Sequence, residues 1–205
     1  MAVLIFAAYL LGSIPTSVWI GLAFYNIDVR EFGSGNAGAT NTFRVLGKKA
    51  GIPVLIIDIL KGSIAVALAY FSGFSSQSNE FINLQLALGV AALMGHIFPV
   101  FAGFRGGKGV ATILGIVICI LPVSCALSLL VFLIVLFSTR IVSLSSMIGG
   151  ITFPIFLNLV MGNTNPILTV FSIVVSTLLI ITHRKNILRL IKKQESKVQW
   201  FSSKK

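Results

Sequence analysis

Two segments of this chain combine residues able to hold anions. The first, FGSGNAGATNTFRVLG at 32–47, offers Ser34, Gly35, Asn36, Thr40, Asn41 and Arg44. The second, GFRGGKGVAT at 103–112, offers Gly106, Gly107 and Lys108, with His96 a short way upstream. A third polar group, His183, Asn186 and Arg189, opens the basic stretch near the C-terminus. Glycines at 106, 107 and 109 let backbone N–H groups approach an oxyanion, because no side chain blocks the way. VATILGIVICI, the next apolar run, predicts a helix starting just after Lys108. A helix start carries free N–H groups and a positive dipole end, and so attracts phosphate. The alternative for these glycines is a tight interhelical turn, and it loses ground because the first segment repeats the same composition.

Several chemistries are excluded. A nucleotide-binding P-loop needs a glycine five positions before its Gly-Lys and a Ser or Thr after it. Here Ala102 stands five before Gly107, and Gly109 follows Lys108. The carboxylates are only Asp28, Glu31, Asp58, Glu80 and Glu195, with no pair or Ser/His/Asp set for hydrolysis. The residues five after His96 and His183 are Phe101 and Leu188. The His-x4-Asp pair of many acyl-CoA acyltransferases is therefore absent, and any group transfer must start from an activated substrate. Cys119 and Cys125 lie in an apolar stretch without His or carboxylate, which argues for packing rather than a disulfide or metal site.

What positions these groups must be membrane helices. The 205 residues are 56% hydrophobic and 10% charged, with a net charge of +11 and a mean hydropathy of +1.00. Soluble domains carry about 25% charged residues. The sequence therefore reads as one integral-membrane domain over 1–205, with no nucleic-acid motif despite its charge. A span takes about 20 apolar residues, and 3–25, 52–71, 82–101, 142–161 and 166–182 qualify. The apolar region 110–137 has Pro122 near its middle and reads as one long span or two short ones. Basic residues cluster at 30–61, 105–108, 140 and 184–205, and none falls in 72–81 or 158–165. Two crossings within 110–137 put all sixteen on one side, as the positive-inside bias favours. The expected fold is an all-α bundle of seven transmembrane helices, two of them 13 or 14 residues long, with the N-terminus outside and the C-terminus cytoplasmic. Five spans and a re-entrant hairpin would give the same sidedness. The absence of a basic leader predicts that the first segment is retained as a helix. The tail NILRLIKKQESKVQWF, with Ile187, Leu190, Ile191, Val198 and Phe201 at helical spacing, reads as an amphipathic surface helix. Asp58 and Lys61, three apart within a span, are expected to pair or else to turn Lys61 toward the polar groups.

At these residues the sequence resembles the bacterial acyl-phosphate:glycerol-3-phosphate acyltransferases, the PlsY family. The matches are GSIP at 12–15, GSGNAGATNTFRVLG at 33–47, DILKG at 58–62, GHIFPVFAGFRGGKGVAT at 95–112, and HRKNILRL with Glu195 at 183–195. They follow family order across nearly the whole chain. Lys193 stands where the family usually carries glycine, and Arg105 where lysine is common. The resemblance implies a seven-helix inner-membrane enzyme with a cytoplasmic active site. It would move an acyl group from acyl phosphate to the 1-hydroxyl of glycerol 3-phosphate, the first acylation of phospholipid synthesis. Ser34, Arg44, Lys108 and His183 are then the expected catalytic residues. Gly35, Asn36, Thr40, Asn41, His96, Gly106, Gly107 and Asn186 would bind substrate, and Asp58, Lys61 and Glu195 would support them. Which loop takes which phosphate, and whether His183 or the leaving phosphate accepts the proton, stays open. No cofactor, metal or obligate protein partner is expected. The alternatives are an anion transporter with a basic vestibule, for which the spans carry few polar residues, or a structural subunit.

Overall fold

The computed structural model describes residues 1–198, and helices are the only regular elements among them. The chain forms two compact units, Met1–Pro122 and Val123–Lys205.

In the first unit the run expected at 3–25 is two helices, α1 (Ala2–Gly12) and α2 (Thr16–Tyr25), bent by 41°. Pro15 lies in the break and has no N–H to continue the ladder. α3 (Ala39–Leu46) follows the first polar loop, and α4 (Lys48–Ala67) and α5 (Asn79–Ile97) are the long helices of the unit. α6 (Val110–Ile120) begins directly after the second loop, as the apolar run predicts. α4 packs against α6, and α1 against α5. Both contacts depend on glycine. A methyl group at Gly62 would overlap the Thr112 carbonyl and one at Gly115 the Ile59 carbonyl; Gly12 and Gly95 similarly face the backbone of the partner helix. Small residues let membrane helices approach to backbone contact, where dispersion replaces the hydrophobic drive that lipid removes. Leu88, Leu93, Ile116 and Val54 fill the interior.

The second unit contains α7 (Pro122–Thr139, from its second residue), α8 (Val142–Ile155), α9 (Pro166–Thr182) and α10 (Arg184–Ile191). α8 packs on α9 and α9 on α10. The region 110–137 is thus divided at Leu121, but not into equal halves. α6 has 11 residues and α7 has 18, about 16 and 27 Å at 1.5 Å per residue. Only the first is short, because Pro122 opens the second helix, where its missing N–H costs nothing. Among the described residues four helical stretches are long and apolar enough to span a bilayer, or up to six if each bent pair counts as one. Phe24, Val3, Phe71 and Phe137 are mostly exposed. Such apolar surface on hydrogen-bond-complete helices belongs in lipid, and the protein is a multi-pass membrane protein.

The tail departs from expectation. α10 stops at Ile191, and Lys193 takes a left-handed conformation with φ +55°; Phe201 lies outside the described residues. A helix continued through 195 would carry Glu195 about 13 Å along the axis from Asn186, yet the two side chains hydrogen-bond at 2.7 Å. The reversal at Lys193 makes that contact. Left-handed backbone costs a non-glycine residue about 1–2 kcal/mol. Lys193→Gly is expected to stabilise the protein by about 1 kcal/mol, seen as a higher Tm in detergent.

Candidate active site

The first polar loop is built around two side chains. Asp28 accepts a hydrogen bond from the Arg30 N–H at 2.9 Å, and the Arg30 guanidinium returns to both carboxylate oxygens at 2.7–3.1 Å. Arg30 Nη1 also donates to the Ala102 carbonyl at 2.8 Å, tying this loop to the second one. The Arg30 hydrogen bond holds the Asp28 carboxyl below its ordinary range despite partial burial. Sequence reading counted Arg30 only as a cytoplasmic charge. An acid two residues before an arginine was the available signal, but its partner in the second loop was invisible.

Asn41 is the other organiser. Its Nδ2 donates to the Val29 and Phe32 carbonyls at 2.7 and 3.1 Å, and its Oδ1 accepts from the Ser34 N–H at 2.8 Å. It is 2% exposed. Both amide protons are taken, so Asn41 shapes the loop rather than offering a donor to a substrate. Gly33 sits against Asn41 with φ +62°, and a methyl group there would overlap Asn41 Oδ1. α3 starts at Gly38 with no side-chain cap, which leaves N–H groups of its first turn toward Thr40. Arg44 is exposed and makes no hydrogen bond or ion pair among the described residues; its Cδ would lie 3.4 Å from a methyl group at Gly33. Ser34 and Asn36 are half-buried, Gly35 and Thr40 exposed.

The second loop differs from expectation in one respect. Gly106 and Gly107 do not present their N–H groups outward: these donate to the Ile97 and His96 carbonyls at 3.2 and 3.1 Å. Their lack of a side chain serves packing, since a methyl group at Gly106 would overlap the His96 carbonyl. Just after them Gly109 (φ +87°) opens α6 without a side-chain cap, so the first N–H groups of that helix have no capping side chain. Lys108 is half-buried at that start. His96 is 5% exposed, with protein against both ring edges, and so does not stand open as an anion ligand. Below it Asp58 pairs with Lys61 at 2.8 Å, and Lys61 Nζ also donates to the Ile14 carbonyl at 3.1 Å.

In the second unit a carboxylate gathers three donors. Glu195 Oε1 accepts from Asn186 Nδ2 at 2.7 Å and from Ser143 Oγ at 2.9 Å, and Oε2 accepts from Arg189 Nε at 2.9 Å. Asn186 is buried, and so is His183, whose Nδ1 lies 2.7 Å from the Leu179 carbonyl. A carbonyl can only accept, so Nδ1 carries the proton and, in the neutral ring, Nε2 is an acceptor. Ser143 was missed by sequence reading, being one serine among several in an apolar span. Desolvation raises the Glu195 pKa, but the bonds from Asn186, Ser143 and Arg189 outweigh it and leave the group below its ordinary 4.5. A depressed carboxylate contributes stability above its unfolded pKa and loses it as pH falls through the folded one. Protection of the Gln194 and Val198 amides, which donate to the Arg189 and Arg140 carbonyls, is therefore expected to be high at neutral pH relative to the intrinsic exchange rate and to fall below about pH 4.5, with Glu195→Gln poorly protected throughout.

These features define a multi-pass membrane protein with uncapped helix starts and cations on two joined polar loops, and a carboxylate-ordered His/Asn helix in its second unit. Comparison with known proteins gives the class its name. A family profile described as glycerol-3-phosphate acyltransferase matches residues 2–193. A glycerol-3-phosphate acyltransferase of Enterococcus faecalis is 44% identical over 207 residues, 98% of this chain and 93% of the relative. One of Listeria monocytogenes is 47% identical over 193 residues, 94% of each. Crystal structures of PlsY, an integral membrane glycerol 3-phosphate acyltransferase, superpose with TM-scores of 0.85 for its glycerol 3-phosphate form and 0.82 for its lysophosphatidic acid form. Their identities are 39% and 38%, and each covers 97% of this chain and 95% of the other. The chain belongs to the glycerol-3-phosphate acyltransferase family. It is an acyltransferase of phospholipid synthesis, and the transporter alternative falls away.

Proposed function

We propose that the enzyme transfers an acyl group from acyl phosphate to the 1-hydroxyl of sn-glycerol 3-phosphate, yielding 1-acylglycerol 3-phosphate and inorganic phosphate. The observation that carries this is Arg44: exposed and unengaged among the described residues, in the last turn of α3 with its side chain near Gly33 of the first polar loop, in a chain 39% identical to an enzyme solved in a glycerol 3-phosphate form. Both substrates are phosphate anions, and one cation at 4 Å offsets about 4 kcal/mol per phosphate charge at an effective dielectric near 20. Arg44 suits bidentate phosphate binding, while Lys108 acts as a point charge. Ser34 and the Asn36–Thr40 backbone complete the Arg44 site; the α6 start completes the Lys108 site.

The hydroxyl oxygen attacks the acyl carbonyl carbon, the carbon–oxygen bond to phosphate breaks, and phosphate departs with the bonding pair. The mixed anhydride is already activated, so catalysis rests on positioning and on charge stabilisation. The leaving phosphate takes the hydroxyl proton. His183, whose ring is fixed by its Nδ1 bond to the Leu179 carbonyl, and Asn186 hydrogen-bond the glycerol 3-phosphate. The polar loops face the cytoplasm of a bacterial inner membrane, with seven crossings, the N-terminus outside and the tail inside, as charge placement favours.

The test is purified protein in bicelles with glycerol 3-phosphate and either acyl phosphate or acyl-CoA, scored by phosphate release and by mass of the lipid product. Equal use of acyl-CoA would refute the donor assignment. Lys108→Ala is expected to raise the KM of one phosphorylated substrate by about tenfold or more, as loss of binding common to ground and transition states does.

A further inference from the structure

His96 forms the last turn of α5 and touches two systems in the first unit. On one side a methyl group at Gly107 would overlap its Nε2 and come within 3.1 Å of the Ala37 carbonyl. The imidazole edge and the first loop thus both rest against the Gly107 backbone, and the Gly107 N–H donates to the His96 carbonyl at 3.1 Å. On the other side Nδ1 faces Asp58 Oδ1 at 3.8 Å and has no hydrogen-bond partner. That oxygen already accepts from Lys61 Nζ at 2.8 Å and from Thr16 Oγ1 at 3.3 Å. Lys61 reaches the Ile14 carbonyl in the break between α1 and α2.

Asp58 and Lys61 are about 3–4% exposed, and an ion pair this deep in a spanning unit is poorly explained by stability. Well-packed apolar residues of similar volume would often hold the helices as firmly. In some proteins a buried pair instead selects one arrangement of its neighbours. Here the neighbours are the α1–α2 break, anchored through Lys61, and the ring of His96, whose Nδ1 edge meets the carboxylate while its opposite edge supports Gly107.

Resting on the acyl-transfer reading above, we infer that Asp58, Lys61 and His96 form a positioning assembly for the Gly106–Lys108 loop, with His96 acting on substrate through Lys108 rather than by contact. The Asp58–Lys61 pair backs the Nδ1 edge of the ring, the ring supports Gly107, and Gly107 sets the backbone from which Lys108 and the start of α6 are presented. A phosphate at this loop is gripped only as well as the loop is held.

The test uses the full-length protein in bicelles, with amide exchange over 103–109 and KM and kcat for both substrates measured on each variant. His96→Gln keeps a polar atom near the Nε2 position against Gly107, and His96→Asn keeps one near the Nδ1 position only. His96→Ala and His96→Asn are expected to accelerate exchange at 103–109 by about tenfold or more. Each should raise the KM of a phosphorylated substrate by about tenfold with kcat within about threefold. His96→Gln is expected to recover most of both effects, and Asp58→Asn to fall between. Unchanged exchange in His96→Ala overturns the inference, as does rescue by asparagine but not glutamine. A loss in kcat of about a hundredfold at unchanged KM also overturns it, since that marks a group acting at the reacting atoms. If His96→Ala does not fold, the glutamine–asparagine comparison decides on the same readouts. Absence of acyl transfer by the unmodified protein would instead refute the functional reading and leave the exchange comparison intact.

Discussion

Replacing Arg44 with alanine is expected to lower kcat/KM by about a thousandfold while leaving the fold intact. The magnitude follows from one cation near one phosphate charge, about 4 kcal/mol at an effective dielectric near 20, with each 1.36 kcal/mol worth about tenfold in rate. The fold should survive because Arg44 is exposed and makes no hydrogen bond or ion pair among the described residues. Arg44→Lys restores charge without the planar fork and is expected to recover only part of the activity. Phosphate release with both substrates, run beside a thermal melt, checks both halves. An Arg44→Ala enzyme within about tenfold of the unmodified protein would remove this side chain from the phosphate site.

Asn41→Asp should fail for the opposite reason. The exchange of one NH2 for an oxygen keeps the shape, yet removes the donors to the Val29 and Phe32 carbonyls and sets a carboxylate against them. The site is 2% exposed, and an unpaired charge buried there costs about 3–5 kcal/mol. A protein's whole stability is about 5–15 kcal/mol, so the variant is expected to express poorly, to melt at a much lower temperature and to be inactive. Asn41→Ala, which buries no charge, is expected to lose less. The two variants, compared by melting temperature in detergent, separate the role of a loop organiser from that of a ligand. A ligand's loss would spare the melt.

Much of the architecture was open to reading along the chain. The helix after Lys108, the interruption of 110–137 near Pro122, and the anchoring of α10 by Glu195 each follow from apolar runs, proline and a lone acid in a basic stretch. Other features were hidden for physical reasons. The break at 13–15 was overlooked because hydropathy is continuous across it, whereas Pro15 interrupts only the hydrogen-bond ladder. The amphipathic spacing of the tail continues past 191, but three hydrogen bonds to Glu195 outweigh it and reverse the chain at Lys193.

The roles of individual polar residues divide along the same line. Composition, charge placement and glycine-rich segments by themselves determined that this is a membrane-embedded helical protein with two glycine-rich, cation-bearing loops, because those properties are sums over residues or features of consecutive ones. Only the tertiary structure decided which polar groups remain for a ligand. Asn41, Gly106, Gly107 and His96 look like donors in the sequence, but each meets backbone or side chains folded against it, while Arg44 is left facing outward. A hydrogen-bonding group is spent or available according to its neighbours in space, and those neighbours come from distant parts of the chain.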